Sequence, residues 1–289
     1  MGAAMHPHVL YNDRIVPATE PILRPGQLGL LAGWGVFTTL RIYEGVPFAF
    51  ERHWNRITRD AGKINVSLER FRRDTVRSEL LALIEKNQSF EASMRLCIFR
   101  SEGGVWEGPG AGYESDMVAF SIPVKDFKQR VKLSVTEQGR HAASPFAGTK
   151  TLSWSHNLTM VENAQKAGFD ETILLNERGE VAECTSANIF AVIDGQAYTP
   201  PLSSGPLPGV TREVMLTELD TNGAALEERV LTLDDLYRAE EVFITSSTRE
   251  LIPVEQIGGR PLGATEWPVM QQILTQLRAY VQAYTAANK

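Results

Sequence analysis

Cysteine is scarce in this chain. Cys97 and Cys184 are the only two among 289 residues, which excludes a disulfide framework or a cysteine zinc site and suits a reducing cytoplasm. Cys97 lies in the apolar run Leu96-Cys97-Ile98-Phe99, where a free thiol behaves as a small buried hydrophobe. The five histidines, His6, His8, His53, His141 and His156, offer no pair at ligand spacing on a helix, so no metal is expected. Long apolar runs are missing too. None approaches the roughly 18 residues of a membrane-spanning helix, and residues 1–9 lack the basic start and apolar core of a signal peptide, so no membrane partner is expected. There is no basic block either. At a net charge of −6 the chain lacks the clustered Lys and Arg that a nucleic-acid partner requires. Lysine itself is rare, with only eight in the chain, which narrows any search for a reactive amine.

What is present is ordinary for a folded protein. The 43% hydrophobic and 22% charged fractions match globular domains. The length allows one large domain or two modest ones, each able to bury a core without disulfides. Residues 9–16 read as a hairpin around Asn12-Asp13, and 36–43 as a strand. Residues 50–64 read as a helix. Ser67 can cap a second helix running to residue 86, with Phe71, Val76, Leu80, Leu83 and Ile84 as its apolar stripe. Strands are expected at 94–99 and 117–124, flanking a Gly-rich loop at 103–112. The charged stretch 125–130 marks the junction between a smaller α+β N-terminal domain (1–124) and a larger, more β-rich C-terminal domain (131–289). There, a strand at 131–136 precedes hairpins at 171–183 and 188–199, and a further strand lies at 242–245. Short helices are expected at 156–167, 211–219 and 232–238. The last has Thr232 and Asp235 at N-cap and N3 spacing. A final helix starts at Pro268.

Four segments carry possible chemistry. Lys150 sits among small and apolar neighbours, Ala147-Gly148-Thr149 before it and Thr151-Leu152-Ser153-Trp154 after it. Burial would lower its pKa and make it a nucleophile toward a carbonyl; a snorkelling surface lysine fits the same window. Glu183 ends a strand and precedes another, where a carboxylate is either exposed or paired with a cation. Leu207-Pro208-Gly209-Val210-Thr211-Arg212 runs into a helix, so its backbone N–H groups and the helix dipole favour an anion, although an ordinary capped loop would look alike. Thr245-Ser246-Ser247-Thr248 is a second small polar loop after a strand. Arg56 could give a bidentate phosphate contact but is one of 21 arginines. The residues by themselves therefore indicate an anion site and a possible reactive lysine, without a cofactor's name.

The order of these segments adds that name. Gly33-Trp34-Gly35-Val36-Phe37-Thr38-Thr39-Leu40-Arg41 is followed by His53-Trp54-Asn55-Arg56, then Lys150, then Gly168-Phe169-Asp170-Glu171. Next come Glu183 with Asn188, Thr199-Pro200-Pro201-Leu202, the 207–212 loop and Glu241-Val242-Phe243-Ile244-Thr245. Over residues 11–254 this series resembles the class IV (fold type IV) enzymes that use pyridoxal 5′-phosphate (PLP). They comprise branched-chain and D-amino acid aminotransferases, (R)-amine transaminases and aminodeoxychorismate lyase. The resemblance implies a two-domain α+β fold, like that of D-amino acid aminotransferase, with the cofactor in the interdomain cleft. It also implies a cytoplasmic homodimer whose partners are a small amino donor and a 2-oxo acid acceptor. Lys150 would form the Schiff base and carry protons. Glu183 would pair with the pyridine nitrogen, keeping the ring an electron acceptor. Arg56, the amides of Val210 and Thr211 beyond Gly209, and Ser247 would hold the phosphate. Leu207 would pack on the ring, with Trp154, Ser186, Ala187, Asn188 and Ser246 completing the cofactor shell. Phe37, Arg95, Trp106 and Thr248 would meet the substrate.

The chain also departs from the family. Ser153-Trp154 replaces the usual Asn-Tyr or Asn-Arg after the lysine, so the hydroxyl that tunes the Schiff base is absent. Ala32 and Ser93 replace pocket tyrosines of branched-chain enzymes, while Arg95 falls on their pocket arginine. The stretch from Arg100 to Trp106 lacks the Arg-x-His carboxylate trap of D-amino acid enzymes, which argues against that activity. Glu183-Cys184, Ala187-Asn188 and the Arg-x-x-Gly-Gly at Arg100 are similar to aminodeoxychorismate lyase. The expected reaction is transfer of an amino group from a branched-chain-type amino acid, with a carbon–carbon lyase or a D-amino acid or (R)-amine transaminase as alternatives.

Overall fold

In the computed structural model of the chain, which describes residues 5–101, 114–219 and 226–289, the Asn12-Asp13 turn forms as expected. Asn12 takes a φ of 54°, and β1 (His8–Tyr11) runs back against β2 (Arg14–Pro17). The N-terminal unit comprises Met1–Lys125 together with Thr149–Trp154 and Tyr284–Lys289. It continues through α1 (Leu28–Leu31), β3 (Gly35–Tyr43), β4 (Val46–Pro47), α2 (Phe50–Lys63), α3 (Arg73–Asn87), β5 (Ala92–Arg100) and β6 (Ser115–Pro123). Its six strands form one sheet in the order β2-β1-β6-β5-β3-β4. Side chains alternate between the faces of a strand. Val36, Leu40 and Ile42 of β3 are therefore buried in one core with Ile57 of α2 and Leu80, Leu83 and Ile84 of α3. Phe37 instead joins Cys97 and Phe99 in a second cluster, and Cys97 is buried, as expected.

One helix start differs from the expectation. Ser67 does not cap α3, which begins at Arg73 with Arg72 as its N-cap. The Ser67 hydroxyl accepts the Glu69 N–H at 3.3 Å, and the Phe71 N–H closes a turn on Leu68 O at 2.9 Å. Ser67 thus satisfies a local turn rather than a helix, and Phe71 is buried from outside the helix. The Gly-rich loop 103–112 lies outside the described residues.

The C-terminal unit comprises Asp126–Gly148 and Ser155–Ala283. It contains β7 (Val131–Thr136), α4 (Ser155–Lys166), β8 (Glu171–Leu175), β9 (Val181–Cys184), β10 (Asn188–Ile193) and β11 (Gln196–Thr199). Then follow α5 (Val210–Glu218), β12 (Leu226–Glu228), α6 (Leu233–Arg238), β13 (Glu241–Ser246), β14 (Glu250–Ile257), β15 (Arg260–Pro261) and most of α7 (Pro268–Ala287). Its sheet runs β12-β11-β10-β13-β14-β7-β8-β9, with β15 on β14. Both expected hairpins form, and Phe190 stacks on its cross-strand partner Phe243 at 5.2 Å, a pair worth about 1 kcal/mol beyond burial. Thr232 and Asp235 make a reciprocal capping box on α6. The strand β14 carries Pro253, a residue disfavoured inside sheets. It is tolerated beside a register shift between Val254 and Gln256.

Candidate active site

In the N-terminal unit, α2 places His53, Arg56 and Asp60 three and four residues apart, and all three are buried. This polar stripe faces Thr38, the inward residue of β3 between Val36 and Leu40. Arg56 Nη2 donates to Thr38 Oγ1 at 2.8 Å, and Thr38 Oγ1 lies 2.6 Å from His53 Nδ1. Burial pushes the His53 pKa well below its ordinary value, and the charges of Arg56 and Lys150 push it further down. Burial thus favours the neutral imidazole, and its Nδ1 shares a hydrogen bond with the Thr38 hydroxyl while Arg56 donates to the same oxygen. The three side chains lock the guanidinium in one orientation.

Lys150 belongs to a short extended segment on the free edge of β3. Its carbonyl accepts the Phe37 N–H at 3.0 Å, Leu152 N–H donates to Gly35 O at 2.8 Å, and Thr151 bridges to Val36. Ser153 Oγ donates to Ala32 O and Gly33 O at 2.9 and 3.1 Å. Gly33 has a φ of +61°, and a Cβ on it would lie 2.7 Å from that hydroxyl, so a side chain there would displace the anchor. The Lys150 ammonium lies 4.6 Å from the Phe37 ring centre and 5.6 Å from that of Trp154. Phe37 and Trp154 meet edge-on at 5.8 Å, and the Arg95 guanidinium sits over Phe37 at 4.6 Å. Lys150, Trp154, Phe37 and Arg95 thus come together, with Trp154 as an aromatic wall. Trp106 lies outside the described residues.

In the C-terminal unit, Glu183 is 5% exposed on β9. Arg140 Nε donates to its Oε1 at 2.9 Å, and Arg140 Nη1 reaches Asn157 Oδ1 at 3.3 Å. Glu183 Oε2 has no hydrogen-bond partner among the described residues. Of the two alternatives for Glu183, the ion-paired one holds. The following turn carries Ser186 and Ala187 and is built on Glu171, a buried carboxylate. Glu171 accepts the N–H groups of Thr185 and Ser186 at 3.3 and 3.0 Å and both their hydroxyls. Arg249 Nη2 donates to Ser186 Oγ at 2.8 Å, linking this turn to the Ser246-Ser247-Thr248 loop at the end of β13.

The anion loop depends on Asn188. Its Nδ2 donates to Leu207 O at 2.8 Å, and Gly209 is the N-cap of α5, with no side-chain cap on that end. Val210 and Thr211 are buried. Arg212 is occupied elsewhere: Nη2 donates to Pro200 O at 2.9 Å and pairs with Glu228, so it ties α5 to β12. Thr38, Asp60, Arg140 and Arg249 are not anticipated from sequence. Asp60 alone has a local signal, lying one turn beyond Arg56 on the same helix.

These two sets of residues, one in each unit, lie within a known family pattern. The amino-transferase class IV family matches residues 35–257. The chain belongs to that family. It is therefore an aminotransferase-family enzyme with the α+β, fold type IV architecture expected from its sequence. A D-alanine aminotransferase of Bacillus licheniformis is 30% identical over 283 residues, 96% of this chain and 98% of that protein. A putative branched-chain-amino-acid aminotransferase of Methanocaldococcus jannaschii is 31% identical over 257 residues, 87% and 88% of the two chains. The solved branched-chain aminotransferase of the thermophilic archaeon Thermoproteus uzoniensis, with norvaline, superposes with a TM-score of 0.88 at 26% identity, covering 97% of this chain and 96% of that one.

Proposed function

We propose that this class IV aminotransferase uses PLP to move an amino group from a branched-chain-type amino acid to a 2-oxo acid, with Lys150 as the reacting amine. The observation that carries the reading is the environment of Glu183. Arg140 occupies Oε1 and no described residue donates to Oε2, which suits a protonated ring nitrogen. The uncapped start of α5 suits a phosphate, so the residues present fit the cofactor.

Bound to the enzyme, PLP supplies an electron sink for the substrate α-carbon. Arg56, fixed by Thr38 and His53, and the Val210 and Thr211 amides would hold its phosphate, with Ser246 and Ser247 beside them. Leu207, Ser186, Ala187 and Asn188 would line the ring. Lys150 Nζ would carry the proton between the substrate α-carbon and the cofactor. Phe37 and Trp154 would exclude water around that amine, and Arg95 and Thr248 would orient the donor. A cytoplasmic homodimer belongs to the same reading, by analogy with the family, and sedimentation equilibrium reports its mass.

The test is a titration of the PLP-loaded protein with L-leucine, followed by its visible absorbance and by glutamate formation from 2-oxoglutarate. Bleaching of the yellow band with matching glutamate is the expected result, and Lys150→Ala should abolish both while leaving the fold intact. A second reading has a D-amino acid as donor, and the D-alanine aminotransferase relative covering nearly the whole chain favours it. Bleaching by D-alanine but not L-leucine would establish it. Pyruvate release without an acceptor would make the protein a lyase, and no amine transfer from any donor would end the transaminase reading.

A further inference from the structure

The backbone of Lys150 is tethered on both sides. Its carbonyl accepts from the Phe37 N–H, a bond that any residue continuing the β3 edge would make. Its N–H makes a different kind of bond, donating to the carboxylate Oδ2 of Asp60 at 3.0 Å across 90 residues of sequence. Asp60 is 1% exposed, a position where an unsatisfied carboxylate would be costly. Both oxygens are used: Oδ1 takes the Arg59 guanidinium, with Nε at 2.9 Å, and Oδ2 takes the lysine amide. Hydrogen bonds to an ionised acceptor are among the stronger ones in proteins. Asp60 also shares the buried face of α2 with His53 and Arg56, so one rigid helix carries both the proposed phosphate arginine and the lysine tether.

We propose that Asp60 is a positioning residue for Lys150: its carboxylate fixes the backbone from which the reactive side chain projects. The proposal rests on the reading of Lys150 as the PLP-binding amine. A displacement of about 1 Å in a reacting group can cost about a hundredfold in rate, so a lost tether should show in the lysine's own reactivity, independently of turnover.

The test measures that reactivity directly. The full-length protein is mixed with PLP, reduced with borohydride at timed intervals, and the label is mapped by peptide mass spectrometry. Asp60→Ala should label Lys150 about ten- to a hundredfold more slowly than wild type, and hydrogen exchange of the Lys150 segment should quicken. Asp60→Asn keeps a carbonyl oxygen that can accept the amide and should label near the wild-type rate. Arg59→Ala removes the ion pair but not the tether and should do the same. Asp60→Ser, whose hydroxyl stops short of the amide, replaces Asp60→Ala if the latter does not fold, with the same expectation. Wild-type labelling in Asp60→Ala would overturn the proposal, as would equal slowing in Arg59→Ala or Asp60→Asn. Absence of label at Lys150 in the wild type would overturn the PLP reading instead.

Discussion

The side-chain oxygen of Asn188 stands where a methyl group on residue 209 would have to go: a Cβ built on Gly209 comes within 2.0 Å of Asn188 Oδ1. The backbone of Gly209 is not the obstacle, since its φ of −67° suits any residue. Gly209→Ala should therefore act by displacing Asn188 and its bond to Leu207 O, at a cost of about 1–3 kcal/mol as overpacking. Asn188→Ala loses the same bond but opens the space. The double variant should then be about as stable as Asn188→Ala alone, because contacting residues do not add. Urea denaturation of the three variants reads the cycle, and strict additivity would show that the two residues act separately.

Glu183 and Arg140 allow the charge on the carboxylate proposed to face the ring to be separated from its structural role. Glu183→Gln keeps an oxygen for Arg140 Nε but cannot hold a ring nitrogen protonated. It should melt like the wild type and lose about a hundredfold in kcat, the scale of one preorganised electrostatic partner. Arg140→Met should do the reverse to stability, leaving a buried carboxylate without its cation at a cost of about 3 kcal/mol. Unchanged turnover in Glu183→Gln would remove Glu183 from the chemistry.

Much of this architecture was legible because its signals are local. The β8–β9 and β10–β11 hairpins announce themselves through short polar turns between runs of β-formers, and the α6 cap through two residues three apart. The expectations fail where a local signal has two uses or a local rule is broken. Ser67 satisfies a turn rather than a helix, and the strand β14 drew no expectation, since it carries Pro253, which it tolerates beside a register shift. Local chemistry marks Lys150 only as a possible reactive amine and leaves Glu183 open; the family order of the segments is what gives both their expected roles. The residues that hold them, Asp60 and Arg140, lie 90 and 43 positions away along the chain, and only the folded sheets bring those pairs into contact.

His53 gives the protein a specific pH signature. Its pKa is held well below the ordinary 6.5 by burial, then by Arg56 and Lys150, so below about pH 6.5 the unfolded chain binds a proton that the native state refuses. Stability should be flat in this term above pH 6.5. It should fall by about 1.4 kcal/mol per pH unit as pH drops from there toward the native pKa. Unfolding curves at pH 7.5, 6.5 and 5.5 measure the slope. His53→Gln, which does not titrate, should lower the slope by that amount, and an identical slope would place the acid sensitivity elsewhere.

Glu171 is the residue whose neutral mimic should fail most clearly. Its two oxygens accept the N–H groups of Thr172, Thr185 and Ser186 as well as two hydroxyls, and Arg249 Nη1 lies 3.6 Å away. Glutamine at this position would point an NH2 group at donors on one side, leaving buried N–H groups unsatisfied at about 1–3 kcal/mol each. Glu171→Gln should therefore lose about 2–4 kcal/mol of stability, and hydrogen exchange should quicken first at Thr185 and Ser186. Since that turn leads into Asn188, and Asn188 holds the 207–209 loop, PLP should also dissociate faster from the variant, as followed by dialysis and absorbance. A variant with full stability but faster PLP loss would mean that Glu171 shapes the site without supporting the fold. Equal protection of Thr185 and Ser186 in both proteins would mean that their hydroxyls, rather than the carboxylate, keep the turn closed.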